Sequence, residues 1–181
     1  CMNHDTAFAF IQLGRKVERA DMTSRIVDVG SISMLPAFSR SAKQKSFLEP
    51  YENIVWMNVL RCVSGYQGYR QRTHSQVKGD EVVKFLLQDE AFPRSLGYSL
   101  TDLVGHLNKL PNNVEVLRAV ARAKKVTLEV NINQLLQHGL LDFIDELQIS
   151  IADIHEEINN TWFRPVELRK PVRKAQSQTQ A

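Results

Sequence analysis

The sequence predicts an all-α protein, a bundle of five or six helices with a disordered basic C-terminal tail. Three observations carry this. Only 8 Gly and 6 Pro occur among 181 residues, too few for a turn-rich sandwich or barrel. Apolar residues recur at helical spacing over long stretches, and no segment alternates convincingly enough to be a strand. The chain is 43% hydrophobic and 24% charged, a balance that supports one packed core without disulfide staples. Residues 1–163 are expected to form a single helical domain, and residues 164–181 the tail.

Each helix is justified by its own punctuation. Asp5 and Thr6 are capping residue types, and the absence of Pro from Ala7 to Val29 predicts a long first helix closing near Gly30. Ser31 to Phe47, with Pro36 and the basic residues Arg40, Lys43 and Lys45, suits an exposed loop. Pro50 fits the first turn of a second helix running to about Thr73. Asp80 can cap a short helix over Glu81 to Gln88, and Phe92-Pro93 opens another reaching about Leu110. Pro111-Asn112-Asn113 is a turn, after which Val114 to about His138 reads as one helix, stopped by Gly139. Leu140 to about Phe163 closes the bundle. Its residues Leu140, Ile144, Leu147, Ile151, Ile154 and Ile158 alternate spacings of four and three, a packing seam that is core or a partner surface. Arg164 to Ala181, with two prolines and a Ser/Gln/Thr/Ala end, is the expected disordered tail.

The net charge of +3 conceals a strong asymmetry. Residues 139–163 carry six acids and no Lys or Arg, whereas residues 164–181 sum to +4, so helix and tail can attract each other or bridge to a partner. Basic and acidic segments alternate, which makes nucleic acid an unlikely partner. Charges interrupt every apolar run, so no membrane span is expected. Cys1 and Cys62 form no CxxC pair or Cys/His ligand set, and with no signal-like segment they read as free thiols of a cytoplasmic protein. The chain begins with Cys1 rather than Met, which suggests a portion of something longer.

The first helix holds the most informative charges. At 100° per residue, Phe8, Ile11, Arg15, Glu18, Met22, Ile26 and Val29 fall on one stripe, and Phe10, Leu13, Val17, Ala20 and Val27 cover much of the opposite sector. This leaves Gln12, Lys16, Arg19 and Thr23 as a narrow polar face and catches Arg15 and Glu18 in an apolar stripe. Arg15–Glu18, Arg25–Asp28 and Asp21–Arg25 stand at ion-pair spacings. Arg15 and Glu18 can then be a pair that merely orients packing, or part of an interior site for a carboxylate or phosphate, which a planar guanidinium recognises well. Arg94, beside the predicted helix start at Pro93, would join Arg15 in holding such an anion, unless Pro93 marks simple helix entry.

Here the chain resembles a known family. The run from Phe10 to Val29, containing Gly14-Arg15-Lys16-Val17-Glu18-Arg19, looks like the hallmark helix of the bacterial alpha-E proteins, an all-helical domain of unknown function with a Glu-Arg motif, here Glu18-Arg19. The likeness continues through Trp56 to Gly65, Val83-Lys84-Phe85-Leu86-Leu87, Phe92-Pro93-Arg94-Ser95 and Gly139-Leu140-Leu141-Asp142-Phe143. Family members are typically longer, so the chain resembles their C-terminal portion, with a missing N-terminal half as one expected partner. Alpha-E proteins are encoded beside, or fused to, circularly permuted ATP-grasp and transglutaminase-like proteins, sometimes near a proteasome-related peptidase. The resemblance therefore implies an accessory or scaffold subunit of an ATP-grasp peptide-ligase or peptide-modification system, with no established reaction of its own. The competing expectation is an enzyme or ligand-binding domain with an anionic peptide or amino-compound site. The candidate residues for an anion or partner are Arg15, Glu18, Arg19, Arg25 and Arg94.

Other chemistry finds little support. The histidines His4, His74, His106, His138 and His155 lack the HExxH or Glu-x-x-His spacing of a metal helix, and His155-Glu156-Glu157 reads as a solvated face, so no metal site is expected. No GxGxxG, Walker or GxSxG pattern occurs, and no cofactor is implied. Trp56, Tyr66, Tyr69 and Trp162 read as core or amphipathic rim.

Overall fold

The computed structural model describes residues 5–32, 42–74 and 76–164. The expected tail at 165–181, Cys1, and the 33–41 part of the expected loop lie outside the described residues. Among these residues eight helices occur and no strand: α1 (Thr6–Ile32), α2 (Ala42–Cys62), α3 (Tyr66–Thr73), α4 (Gly79–Gln88), α5 (Leu96–Leu107), α6 (Val114–Glu129), α7 (Ile132–His138) and α8 (Leu140–Trp162). The all-α expectation holds. Helices α1, α5, α6 and α8 close a ring, α1 packing on α5 and α8, and α6 on both of these in turn. The short helix α4 touches α1, α2, α5, α6 and α7, and α2 lies against α1 and α4. Phe10 near the start of α1 packs edge-on against Trp162 at the end of α8, so these two helices run antiparallel. The predicted seam of α8 is buried from Leu140 to Ile158, while Asp142, Asp145, Glu146, Asp153 and Glu156 are exposed. Trp56 and Tyr69 are fully buried and Tyr66 and Trp162 half-buried, so all four serve core and rim.

Several boundaries differ from expectation for local reasons. The second helix starts earlier, at Ala42, and Pro50 lies within it. It also stops at Cys62, where Ser64 adopts φ 50° and the Gly65 N–H donates to Leu60 O at 2.7 Å, so the expected helix to Thr73 is two. Gly65 is required there: a Cβ would come within 2.9 Å of the Phe92 ring. The helix expected over 114–138 also breaks. Asn131 accepts hydrogen bonds from Asn133 N and Gln134 N and thereby caps α7. The Gln88 amide, reaching across from α4, donates to Thr127 O, Leu128 O and Val130 O at 3.2, 3.3 and 2.8 Å. It thus satisfies carbonyls that a continuing helix would have used. At α4 the helix begins at Gly79 and Asp80 sits inside its first turn. At α5, Ser95 is the N-cap, accepting from Tyr98 N at 3.0 Å, so Phe92-Pro93 lies in the preceding turn.

Of the two apolar sectors of α1, the one with Leu13, Val17, Ala20 and Val27 enters the core. Ala9, Leu13, Val17, Ala20, Thr23, Ser24, Val27, Gly30 and Ser31 are buried. Arg15 and Glu18 are exposed, along with Ile11, Met22 and Val29 on the same stripe. The reason is close packing: small side chains let neighbouring helices approach, as at Gly30, where a Cβ would stand 3.0–3.1 Å from Val59 and Trp56. The hydroxyls of Ser24 and Ser31 donate to the carbonyls of Asp21 and Asp28, so burying them leaves no donor stranded.

Candidate functional site

The expected polar face of α1 is split by this rotation. Lys16 has only 12% of its side chain exposed, pairs with Asp102 at 2.7 Å and lies over the Tyr98 ring at 4.8 Å. Thr23, only 3% exposed, donates to Arg94 O at 2.8 Å. Arg19 donates to Pro93 O over a longer 3.5 Å. These contacts fasten the turn ahead of α5 onto α1. The turn is stiffened from within by Asp89, whose Oδ1 accepts from Ala91 N and Phe92 N at 2.9 and 2.6 Å, and whose Oδ2 meets Arg72 at 2.8 Å. The Ser95 hydroxyl donates to the Asp89 and Phe92 carbonyls.

Arg94 is thereby delivered to the flank of α1. Its Nη1 donates to Val63 O at 3.0 Å, at the break between α2 and α3. Arg15, Glu18, Arg19 and Arg94 then line one open groove of about 290 Å³, with Met22, Thr23, Ile26, Cys62 and Val63 completing its walls. The expectation that Arg15 and Glu18 form an ion pair buried in an apolar stripe is corrected. Both are exposed, and among the described residues neither forms an ion pair. Their three-residue spacing would allow a pair, but each head is left available to the groove.

Arg25 stands apart from this group. It bonds Asp21 at 2.9 Å, not Asp28, and the Asp21 carboxylate makes its guanidinium hold its proton more firmly than usual. It lines a different groove of about 580 Å³ between α1 and α8, whose floor includes Leu13, Val17 and Ile151. Glu18 borders both grooves and so sits on the ridge between them. Helix α5 starts later than the Pro93 reading supposed, at Leu96 with Ser95 as its N-cap, so Arg94 stands just ahead of the cap.

The groove contains residues that sequence reasoning passed over. Met22 and Ile26 continue the Arg15–Glu18 side of α1 one and two turns on, a periodic signal that was legible but read as core. Cys62 is a free, exposed thiol, and nothing in its spacing relates it to residues 15–26. Among the described residues no three His, Cys, Asp or Glu side chains converge as a metal site, and no helix is long and apolar enough to cross a membrane.

Residues 1–163 match the family model Alpha-E, described as a predicted alpha-helical domain with a conserved ER motif. This chain is an alpha-E domain protein. No curated protein and no solved structure matches it. Glu18-Arg19 is the one Glu-Arg step in the sequence. The alpha-E motif of this chain thus lies on the outer side of the bundle, at the rim of a groove with three arginines and one glutamate.

Proposed function

We propose that this alpha-E protein is a cytoplasmic accessory subunit of a circularly permuted ATP-grasp peptide-ligase or peptide-modification system. Its groove takes the anionic group of a peptide or amino compound, and the ATP-grasp partner, with a transglutaminase-like protein as a further associate, performs the chemistry. The observation that carries this reading is the position of Glu18-Arg19. Glu18 is exposed and Arg19 half-buried with one long bond to Pro93 O, and among the described residues neither forms an ion pair, so the motif keeps charged donors and acceptors free for a ligand. Residues of this kind, converging from α1 and a braced turn on one groove, suit recognition. Three guanidiniums against one carboxylate favour an anion, and the Arg fork suits a planar carboxylate.

The test is copurification of the full-length alpha-E protein with the ATP-grasp protein encoded beside it. Association under gentle conditions, with product formation lowered by Arg94→Leu in the assembled system, is the expected result. Failure to associate would remove the accessory-subunit reading.

A further inference from the structure

The groove's mixed charge and partly apolar wall say more about its ligand than a cationic surface alone would. Arg15 neighbours Glu18 at i,i+3 and Arg19 at i,i+4 on α1, with β-carbons about 5–6 Å apart in such pairs, and all three line the groove. An acceptor-only head therefore shares the groove with two donor-only heads, with Arg15 the one beside it on the helix face. Arg94 adds a third guanidinium from the opposite wall, its direction set by the bond to Val63 O and by Thr23 holding its own carbonyl. Next along α1 come Met22, 53% exposed, and half-buried Ile26, facing Val63 across the groove.

We infer that this groove binds a free α-amino acid with an apolar side chain, in its zwitterionic form. The carboxylate lies among Arg15, Arg19 and Arg94, the ammonium on Glu18, and the side chain against Met22, Ile26 and Val63. The charge pattern decides between this ligand and a simple anion. A phosphate or sulfate would use the three arginines but meet Glu18 as a repulsive neighbour, whereas an α-amino acid presents a carboxylate and an ammonium a few ångströms apart and can use both signs of the groove. A volume of about 290 Å³ sits at the small end of ligand pockets and suits a compound of this size. The inference rests on the reading of this groove as the recognition surface, and names what that surface recognises: the amino component that an amide-forming partner would consume.

Calorimetric titration of the purified full-length chain with L-leucine tests this directly. Leucinamide, N-acetyl-leucine and inorganic phosphate serve as comparison ligands, and circular dichroism checks the fold of each variant. Saturable leucine binding is expected, with leucinamide and N-acetyl-leucine each weaker by at least roughly tenfold, because each leaves one set of charged hydrogen bonds unmade. Glu18→Gln is expected to weaken leucine and to strengthen phosphate, opposite signs that a purely structural role for Glu18 would not give. Arg15→Leu, at an exposed position outside the turn contacts, is expected to weaken both ligands. Absence of saturable leucine binding overturns the inference, as does N-acetyl-leucine or phosphate binding as tightly as leucine. Because the titration needs no partner, it can fail while copurification succeeds, and the reverse.

Discussion

Replacing Gln88 by Glu isolates one interaction that joins α4 to the α6–α7 break. The side-chain volume is nearly unchanged, but the amide that donates to Thr127 O, Leu128 O and Val130 O becomes a carboxylate oxygen facing three acceptors. Two N–H donors are lost, at about 1 kcal/mol of net stability each. The new negative charge also lies at the C-terminal end of the α6 dipole, an unfavourable placement worth about 0.3–1 kcal/mol. The sum is a destabilisation of about 2–3 kcal/mol at pH 7, equivalent to a fall in Tm of roughly 5–12 °C for a chain of this length. The sign of its pH dependence follows. Facing carbonyl oxygens, the new carboxyl group is more basic in the folded state than its unfolded value of about 4.3. Its charge penalty is then absent below that unfolded value, where a protonated carboxyl regains one donor, and grows as pH rises through the folded value. Urea denaturation of wild type and Gln88→Glu from pH 3.5 to 8 measures this as a gap that widens with pH. A gap below about 0.5 kcal/mol at pH 7, or one independent of pH, would refute the assignment of Gln88 as the cap of α6.

Two further outcomes probe the packing and the site separately. Thr23→Val keeps the β-branched shape but removes the donor to Arg94 O. It is expected to cost about 1–2 kcal/mol in chemical denaturation and to weaken ligand binding in the groove, while Thr23→Ser retains the bond and most of the affinity. Two glycines of α5 should respond oppositely to alanine. At Gly97 a Cβ would meet the Gln88 backbone at 3.1 Å, so Gly97→Ala is expected to destabilise by about 1–3 kcal/mol. At Gly105 nothing lies within 4 Å, so Gly105→Ala is expected to stabilise by about 0.5–1 kcal/mol. Thermal melts of the two variants side by side would show the contrast, and matching shifts would contradict the packing described for α4 on α5.

The seam of α8 was legible because large apolar residues at spacings of four and three have no other way to leave water. The orientation of α1 was legible only in part by the same rule, because apolar residues occupy two of its sectors. Leu13, Val17, Ala20 and Val27 of one sector are buried together with Thr23, Ser24 and Gly30, whose fitness for close helix contact carries no hydrophobic signal, whereas Ile11, Met22 and Val29 of the other sector are exposed. The rule therefore placed Arg15 and Glu18 inside an apolar stripe, when they stand at the rim of a groove. Helix breaks followed a similar division. Gly139 announced the start of α8, but the break at Val130 also depends on Gln88, a residue about forty positions away whose partner carbonyls the local sequence does not reveal.

The sequence by itself determined the all-α class, the α8 core and the alpha-E motif at Glu18-Arg19, since composition, periodicity and a contiguous motif are local properties. It also singled out Arg15, Glu18, Arg19, Arg25 and Arg94 as candidates for an anion or partner site. Tertiary structure decided that Arg15, Arg19 and Arg94 converge with Glu18 on one groove, that Arg25 is elsewhere, and that Met22, Ile26 and Cys62 join the walls. The physical reason is that convergence depends on the rotation of α1 about its axis and on a turn fastened to α1 by Thr23 and Arg19 and to the α2–α3 break by Arg94. Both are set by contacts between residues about thirty to seventy or more positions apart, which no local pattern encodes.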